Sequence, residues 1–438
     1  MSLSSSANLL ISALCLCLLQ REISAGLSMV LGNLTLFNVQ FKSPSWLGRS
    51  IVGDSNLRIE SDVDPNILED SHLDTLHLIQ KYGYPAENHT VQTDDGYILT
   101  LHRIARPGAM PVLLVHGLLD SSATWVMMGP NKGLGYLLYE QGYDVWMANV
   151  RGNTYSRKHV KYSTRHAKFW DFTFHEMGKH DIPSTIDFVL NHTDVSQLHY
   201  IGHSQGSVVF WIMASEKPEY MDKIVFMQAL APVAFLKHCR SPVVNFLAEW
   251  HLSVSVVLKL IGVHEFLPKN EFISMFNRFI CDETTITKEI CSNVIFLTTG
   301  FDKLQLNETM LPVIVGHSPA GASTKQMQHF GQLNRSGAFR QFDYGWLRNH
   351  WRYGHIDPPS YKLENVRAKV ALYYGKNDWL APPEDVEMLH SKLPNVVTKY
   401  LVDDPEFNHL DFIWAINGRE LLWDRMLENM RNQENSVI

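Results

Sequence analysis

The sequence predicts an α/β fold: a mostly parallel, doubly wound sheet interrupted by a helical insertion. Three observations carry this. Strand-like and helix-like segments alternate from residue 98 to residue 228. The rhythm stops between about 233 and 345 and resumes from 370 to 423. At one strand-to-helix junction stands a serine with a glycine two residues to either side, Gly202-His203-Ser204-Gln205-Gly206.

Residues 98–101 read as a strand after the turn Asp94-Asp95-Gly96. Residues 111–115 form an unbroken apolar run, the pattern of a parallel strand buried on both faces. Residues 133–141 have helical spacing, and Gly142 ends that helix. A strand follows at 145–150, then a helix at 182–190 that Pro183 can begin. The short strand 199–201 leads through the serine turn into a helix at 207–214, and 224–228 is the next strand. The insertion is rich in Phe, Leu, Val and Met at helical spacing, as in 246–260 and 272–280. Beyond it come a strand at 370–374, a helix at 383–389, a strand at 398–402 and a closing helix at 411–423. The chain therefore divides into a core, first part, at 62–234, a helical cap at 235–345 and a core, second part, at 346–438.

The 438 residues, 45% hydrophobic and 19% charged, supply a large core in an ordinary globular balance. The net charge is −7 and no basic run reaches five residues, so nucleic acid is not an expected partner. Residues 9–19 are apolar apart from Ser12 and too short to span a bilayer. With the small residues Ser24, Ala25 and Gly26 after them, they read as a signal peptide over 1–25. Residues 26–61 read as a flexible lead-in or propeptide. No later run is long enough for a transmembrane span. Sequons at Asn33, Asn88, Asn191, Asn307 and Asn334 agree with export, and a secreted or lysosomal destination is expected. Removal of Cys15 and Cys17 with the signal would leave Cys239, Cys281 and Cys291, of which Cys281 and Cys291 form a plausible local disulfide pair. By the loop-entropy model so short a closure contributes roughly 2.5–3 kcal/mol. Cys239 then reads as a small buried hydrophobe. The Cys spacing fits no zinc site, and no metal or cofactor is expected.

The chemistry starts at Ser204. A serine on a sharp turn between strand and helix projects its Oγ from the sheet edge, and the flanking glycines let the two backbones close up. The amide of Gln205, opening the new helix, can donate to an oxyanion. A second donor should come from the loop after an earlier strand. The segment His116-Gly117-Leu118-Leu119-Asp120-Ser121-Ser122 follows the strand at 111–115, which makes the Leu118 amide the candidate. His116 itself reads as a loop histidine bonded to backbone. Gly316-His317-Ser318-Pro319-Ala320 nearly repeats the serine motif. Pro319 has no N–H to offer where an oxyanion donor is needed, so Ser318 is assigned a structural role.

An acid and a base should follow in that order, each after a late strand. Tyr373-Tyr374-Gly375-Lys376-Asn377-Asp378 gives strand, turn and carboxylate. Asp378 is preferred over Asp343, Asp357, Asp403 and Asp404, which do not so clearly end a strand. Asn408-His409-Leu410-Asp411-Phe412 lies after the next strand and before the last helix, so His409 is the base. Among the 21 histidines, His390 falls inside a helix, and His350 and His355 precede the acid.

These residues resemble the acid lipases, the group that contains lysosomal acid lipase, gastric lipase and insect relatives, within the α/β-hydrolase fold. The likeness runs from Asp62 to about Met426. It is carried by Lys81-Tyr82-Gly83-Tyr84-Pro85-Ala86-Glu87, Thr93-Asp94-Asp95-Gly96-Tyr97-Ile98-Leu99, the 116–122 loop, Asn149-Val150-Arg151-Gly152-Asn153 and the 202–206 pentapeptide. His317-Ser318-Pro319-Ala320-Gly321, Asn377-Asp378 and the 408–412 segment complete it. The resemblance implies the triad and oxyanion pair above, a lid over the site from residues near 235–345, and a cap disulfide in the position of Cys281–Cys291. It implies hydrolysis of triacylglycerols or steryl esters, with the lipid ester met at a lipid–water interface. Two other readings stay open: a carboxylesterase for small non-lipid esters, and a non-catalytic lipid-binding or adhesion protein on the same fold.

Overall fold

The computed structural model describes residues 64–245, 248–249, 263–269, 296 and 298–435. The expected signal peptide, the lead-in, Asn33, Cys281–Cys291 and the apolar stretches 251–260 and 272–280 lie outside the described residues.

The main sheet contains strands β1 (Ala86–Gln92), β2 (Tyr97–Ile104), β3 (Pro111–Val115), β4 (Asp144–Ala148), β5 (Lys158–His159), β6 (Leu198–His203) and β7 (Ile224–Leu230). A two-stranded ribbon, β8 (Glu265–Phe266) with β9 (Ala322–Ser323), stands apart, and β10 (Val370–Tyr374) and β11 (Val396–Leu401) complete the main sheet. Its order is β1-β2-β4-β3-β6-β7-β10-β11, with β5 beside β2. From β4 onward every neighbouring pair is parallel, while β1–β2 and β2–β4 are antiparallel. Every residue of β3, β4 and β6 is buried, as helices on both faces require.

The helix Gln205–Glu216 behind the serine turn is buried on all sides through Ala214, so it lies in the middle of the molecule. Its apolar run Val208-Val209-Phe210-Trp211-Ile212-Met213 faces sheet and neighbouring helices alike. The edge strand β1 alternates polar and apolar residues weakly, and the sequence reading passed it over.

Two helices differ from expectation. The helix at 182–190 does not begin at Pro183. It continues a helix that starts at Phe174, with a π-helical turn over Met177–Asp181 and the α-helical part Ile182–Thr193. Pro183 lacks an amide hydrogen to continue the ladder, and the wider turn before it fits that gap. The closing helix also breaks. Asp411–Trp414 ends at Ala415, and after a π-helical turn at Arg419–Trp423 a second helix, Asp424–Asn435, finishes the described chain.

Between β7 and β10 the described residues add no strand to the main sheet. They contribute the β8–β9 ribbon and the helices Leu311–His317 and Thr324–Ser336. The ribbon is pinned to the core by Arg157, whose guanidinium grips both oxygens of Glu265, Nη2 to Oε2 at 2.8 Å. No helix among the described residues is long and apolar enough to cross a membrane.

The buried Arg151 explains the 149–153 segment. Its guanidinium binds both oxygens of Asp95 at 2.6 and 2.9 Å, its Nε donates to Asp181 at 2.8 Å, and it lies 4.0 Å over the Tyr97 ring. Burial alone would raise the Asp95 carboxyl, but Arg151 outweighs it and holds that group below its ordinary value.

Candidate active site

Ser204 lies between β6 and the helix beginning at Gln205, with φ +51° and ψ −115°, a conformation that non-glycine residues rarely adopt. The crowding around it explains its glycines. A Cβ on Gly206 would lie 2.1 Å from the Val115 carbonyl oxygen, and one on Gly202 would lie 2.6 Å from the Gly206 backbone. The Tyr200 hydroxyl donates to the Gly206 carbonyl at 2.8 Å, tying the turn to its own strand.

The three residues named from sequence come together. His409 Nε2 lies 2.8 Å from Ser204 Oγ, and its Nδ1 lies 2.8 and 3.0 Å from the two oxygens of Asp378. Asp378 Oδ1 also accepts the Leu380 and Ala381 amides, each at 2.8 Å. The carboxylate is thus aimed by its own turn before the ring meets it. Asp378 is fully buried, and Ser204 is 9% exposed. In this arrangement the ring can take a proton from the hydroxyl while the carboxylate holds its tautomer.

Around the turn, Gly117 lies against the serine, since a Cβ placed on it would be 3.4 Å from Ser204 Cβ. Leu118 follows, then Leu119 with φ +62°. The Gln205 amide belongs to the first helical turn, where N–H groups lack intrahelical acceptors. The Ser204 amide is committed to the Leu230 carbonyl at 2.9 Å. His116 is neutral, pushed down to about 4 by burial, with Nδ1 2.8 Å from the Gly117 carbonyl. Ser318 sits away from any main-sheet strand, with its Oγ 3.4 Å from the Leu119 carbonyl, while the Ala320 amide donates to the same oxygen at 2.6 Å. The near-repeat of the serine motif thus braces the 116–122 loop.

Sequence reasoning missed several supports. His203 Nε2 lies 2.9 Å from the His409 carbonyl, so the base loop and the serine turn hold each other. Asn408 Oδ1 accepts the Leu410 and Asp411 amides and its Nδ2 donates to the Gly300 carbonyl. The Asn408 amide donates to Asp411 Oδ2 at 2.6 Å. Asp411 pairs with Asp302, and burial pushes both carboxyls above their ordinary value. Asp120, within the 116–122 loop, is raised by burial to about 7. Gln326, from the helix Thr324–Ser336, donates to the Gln205 side-chain oxygen. His203, Asn408, Asp411 and Asp120 lie within segments singled out from the sequence, but nothing in those segments names the distant partners that each one binds.

Among the described residues, two clusters have metal-ligand chemistry. In Glu87, His89 and His192, the Arg103 guanidinium donates to Glu87 at 2.8 Å and lies 3.4 Å from His192 Nε2, where a cation would compete with it. In Asp94, Asp95 and His180, Asp95 is taken by Arg151. Of the sequons, Asn88 and Asn191 are exposed, and Asn307 is half-buried. Asn334 departs from expectation: its amide nitrogen donates inward to the Leu236 carbonyl at 3.1 Å and to Asn245 at 3.0 Å, which leaves no free N–H for a glycan. Cys239 is a buried free thiol, raised by burial to about 12.

Fold and site together are those of a serine ester hydrolase of the α/β-hydrolase class. The alpha/beta hydrolase fold model matches residues 110–255, and the partial alpha/beta-hydrolase lipase region matches residues 75–129. Lipase 1 of Drosophila melanogaster is 45% identical over 367 residues, covering 83% of this chain and 81% of the relative. Lysosomal acid lipase/cholesteryl ester hydrolase of Homo sapiens is 37% identical, covering 85% and 93%, and gastric triacylglycerol lipase of Mus musculus is 38% identical, covering 82% and 92%. A solved structure from Sulfolobus solfataricus has the same fold at 13% identity, with a TM-score of 0.53 over 80% of this chain and 94% of that one. The chain belongs to the acid lipase family.

Proposed function

We propose that the chain is a serine-dependent lipase that cleaves the carboxylic esters of triacylglycerols or steryl esters through an acyl-enzyme. The observation that carries this reading is the hydrogen-bonded line from Ser204 Oγ through His409 to the buried Asp378. Ser204 attacks the ester carbonyl as His409 takes its proton. The Leu118 and Gln205 amides receive the charge on the oxygen, each such donor typically contributing about 2.7–4 kcal/mol. His409 then protonates the leaving alcohol, and water repeats the cycle on the acyl-enzyme. The substrate class follows the names of the relatives, one a triacylglycerol lipase and one a cholesteryl ester hydrolase.

Residues 235–345 act as a cap over the site. The low exposure of Ser204 supports a cap that opens on contact with aggregated lipid. Export to the lysosome or outside the cell, a signal peptide at 1–25, and the Cys281–Cys291 disulfide belong to the same reading. The test is labelling by a fluorophosphonate, with hydrolysis of a dissolved short-chain ester and an emulsified long-chain triacylglycerol measured in parallel. Labelling lost in Ser204→Ala, together with faster turnover of the emulsion, agrees with the proposal. Unchanged labelling in that variant removes Ser204 as nucleophile. Activity confined to the dissolved ester makes the chain a carboxylesterase.

A further inference from the structure

We infer that the helix Trp346–Tyr353 and the turn after it form a docking surface for anionic lipid–water interfaces. The inference rests on the lipase reading above and adds the part of the molecule that meets the lipid. The segment Gly345-Trp346-Leu347-Arg348-Asn349-His350-Trp351-Arg352-Tyr353-Gly354-His355-Ile356 turns its largest apolar groups to solvent. Trp351 is 83% exposed, Trp346 71% and Ile356 62%, with Leu347 also exposed. Elsewhere tryptophans of this chain, such as Trp125, Trp146, Trp211 and Trp423, are fully buried. Large apolar groups gathered outside the core mark a contact surface.

The helix cannot turn this face inward, because its other face is fastened. Asn349 is buried and donates from Nδ2 to Asp343 and to the Ile356 carbonyl, each at 2.8 Å, while its Oδ1 accepts the Tyr344 amide. The Tyr353 hydroxyl donates to the Phe342 carbonyl at 2.9 Å. On a helix of 3.6 residues per turn, Leu347 and Trp351 point away from Asn349 and Tyr353. The outward face is therefore fixed by four hydrogen bonds on the inward one.

Charge selects the occupant. Arg348 and Arg352 stand one turn apart beside Trp351, while the twelve residues 345–356 contain no Asp or Glu. This lies in a chain of net charge −7. Arg348 and Arg352 line a shallow, open cleft with Tyr344 and Trp351, and paired guanidiniums are the groups that bind a headgroup phosphate. Tryptophan over a lipid boundary with arginine at headgroup level is the chemistry of interfacial helices. The surface also connects to the site. Gln332 exchanges two hydrogen bonds with the Asp343 backbone, each at 2.8 Å. That residue shares the helix Thr324–Ser336 with Gln326, which holds Gln205.

The experiment floats the full chain with phosphatidylcholine vesicles, and with vesicles in which part of that lipid is replaced by phosphatidylserine. Wild type is expected to bind the anionic vesicles and to release as salt rises. Arg348→Glu with Arg352→Glu should weaken that binding roughly 30-fold or more, at about one factor per charge set by the surface potential. Trp346→Ala with Trp351→Ala should weaken binding to both vesicle types. Both double variants should slow hydrolysis of an emulsified triacylglycerol through KM and leave the rate on a dissolved short-chain ester unchanged. Wild-type binding to either vesicle in both double variants, or no vesicle binding by wild type, overturns the inference; the latter result with a purified protein bound instead assigns the face to a protein partner. Wild type that binds anionic vesicles but cleaves no ester sinks the lipase reading and leaves the docking surface standing.

Discussion

Gln326 on the helix Thr324–Ser336 donates its side-chain amide to Gln205, the residue that follows Ser204. The two glutamines come from segments far apart in sequence, and both side chains are buried. Gln205 also reaches Met177 Sδ at 3.7 Å. The insertion therefore touches the serine turn from above while the core touches it from below. Replacing Gln326 by Leu strands the Gln205 oxygen without a donor. The expected cost is about 1–3 kcal/mol of stability. Thermal unfolding should show it, and turnover of a dissolved ester should fall by up to about tenfold with little change in KM.

Asp378→Asn keeps one oxygen to accept the Leu380 and Ala381 amides, so the turn should stay folded. The amide cannot hold the His409 tautomer or stabilise its charged form. The expected fall in kcat is about 10⁴-fold, read by ester hydrolysis under burst-free conditions, with melting temperature nearly unchanged. A loss below about tenfold would show that a different carboxylate orients the ring.

The Asp302–Asp411 pair makes stability depend on pH. Asp302 Oδ1 accepts the Leu304 and Gln305 amides, and its Oδ2 is buried. Burial is the first cause of the raised values; Asp302 and Asp404 push Asp411 up further, and Asp404 does the same to Asp302, while the hydrogen bond to Asp411 works the other way on Asp302. A carboxyl raised in the folded state binds a proton more tightly there than in the unfolded chain. Its stabilisation is fully present below the ordinary carboxylate value and is lost as pH climbs through the raised one. Asp120, at about 7, acts in the same direction. Below neutral pH the buried His102, His116 and His317, held down to about 4, oppose this trend, so melting temperature should fall as pH rises from neutral into the alkaline range. Asp302→Asn supplies a permanent N–H to Asp411 and should flatten that fall, which a melting series against pH will show.

Glycan mapping separates the sequons. Asn88 and Asn191 are exposed and should carry glycans in protein secreted from a eukaryotic cell, whereas Asn334 should not. Peptide mass mapping after glycosidase treatment reads each site. Full occupancy at Asn334 would show that the pair of inward hydrogen bonds does not form in the secreted protein.

The strands of the parallel half were legible because burial on both faces leaves unbroken apolar runs, and β3 and β10 match their expected bounds. That Ser204, Asp378 and His409 meet was legible because order along the chain and position after a strand restrict the candidates. β1 was passed over, since an edge strand with one wet face keeps little periodicity. The π-helical turns were invisible because no residue type marks an i→i+5 turn, and only Pro183 hinted at one. Asp302, Gln326 and His203 act across long stretches of chain, so no window of sequence holds both partners.

The parallel pairing of β7 with β10 has a consequence for biosynthesis. Everything from Ala231 to Lys369 leaves the ribosome before β10 exists. Until then β7 ends an incomplete sheet with a row of unsatisfied backbone groups, the template on which strands of other chains add. A nascent chain stalled before β10 should bind chaperones strongly, and release from them should follow synthesis of residues 370–438.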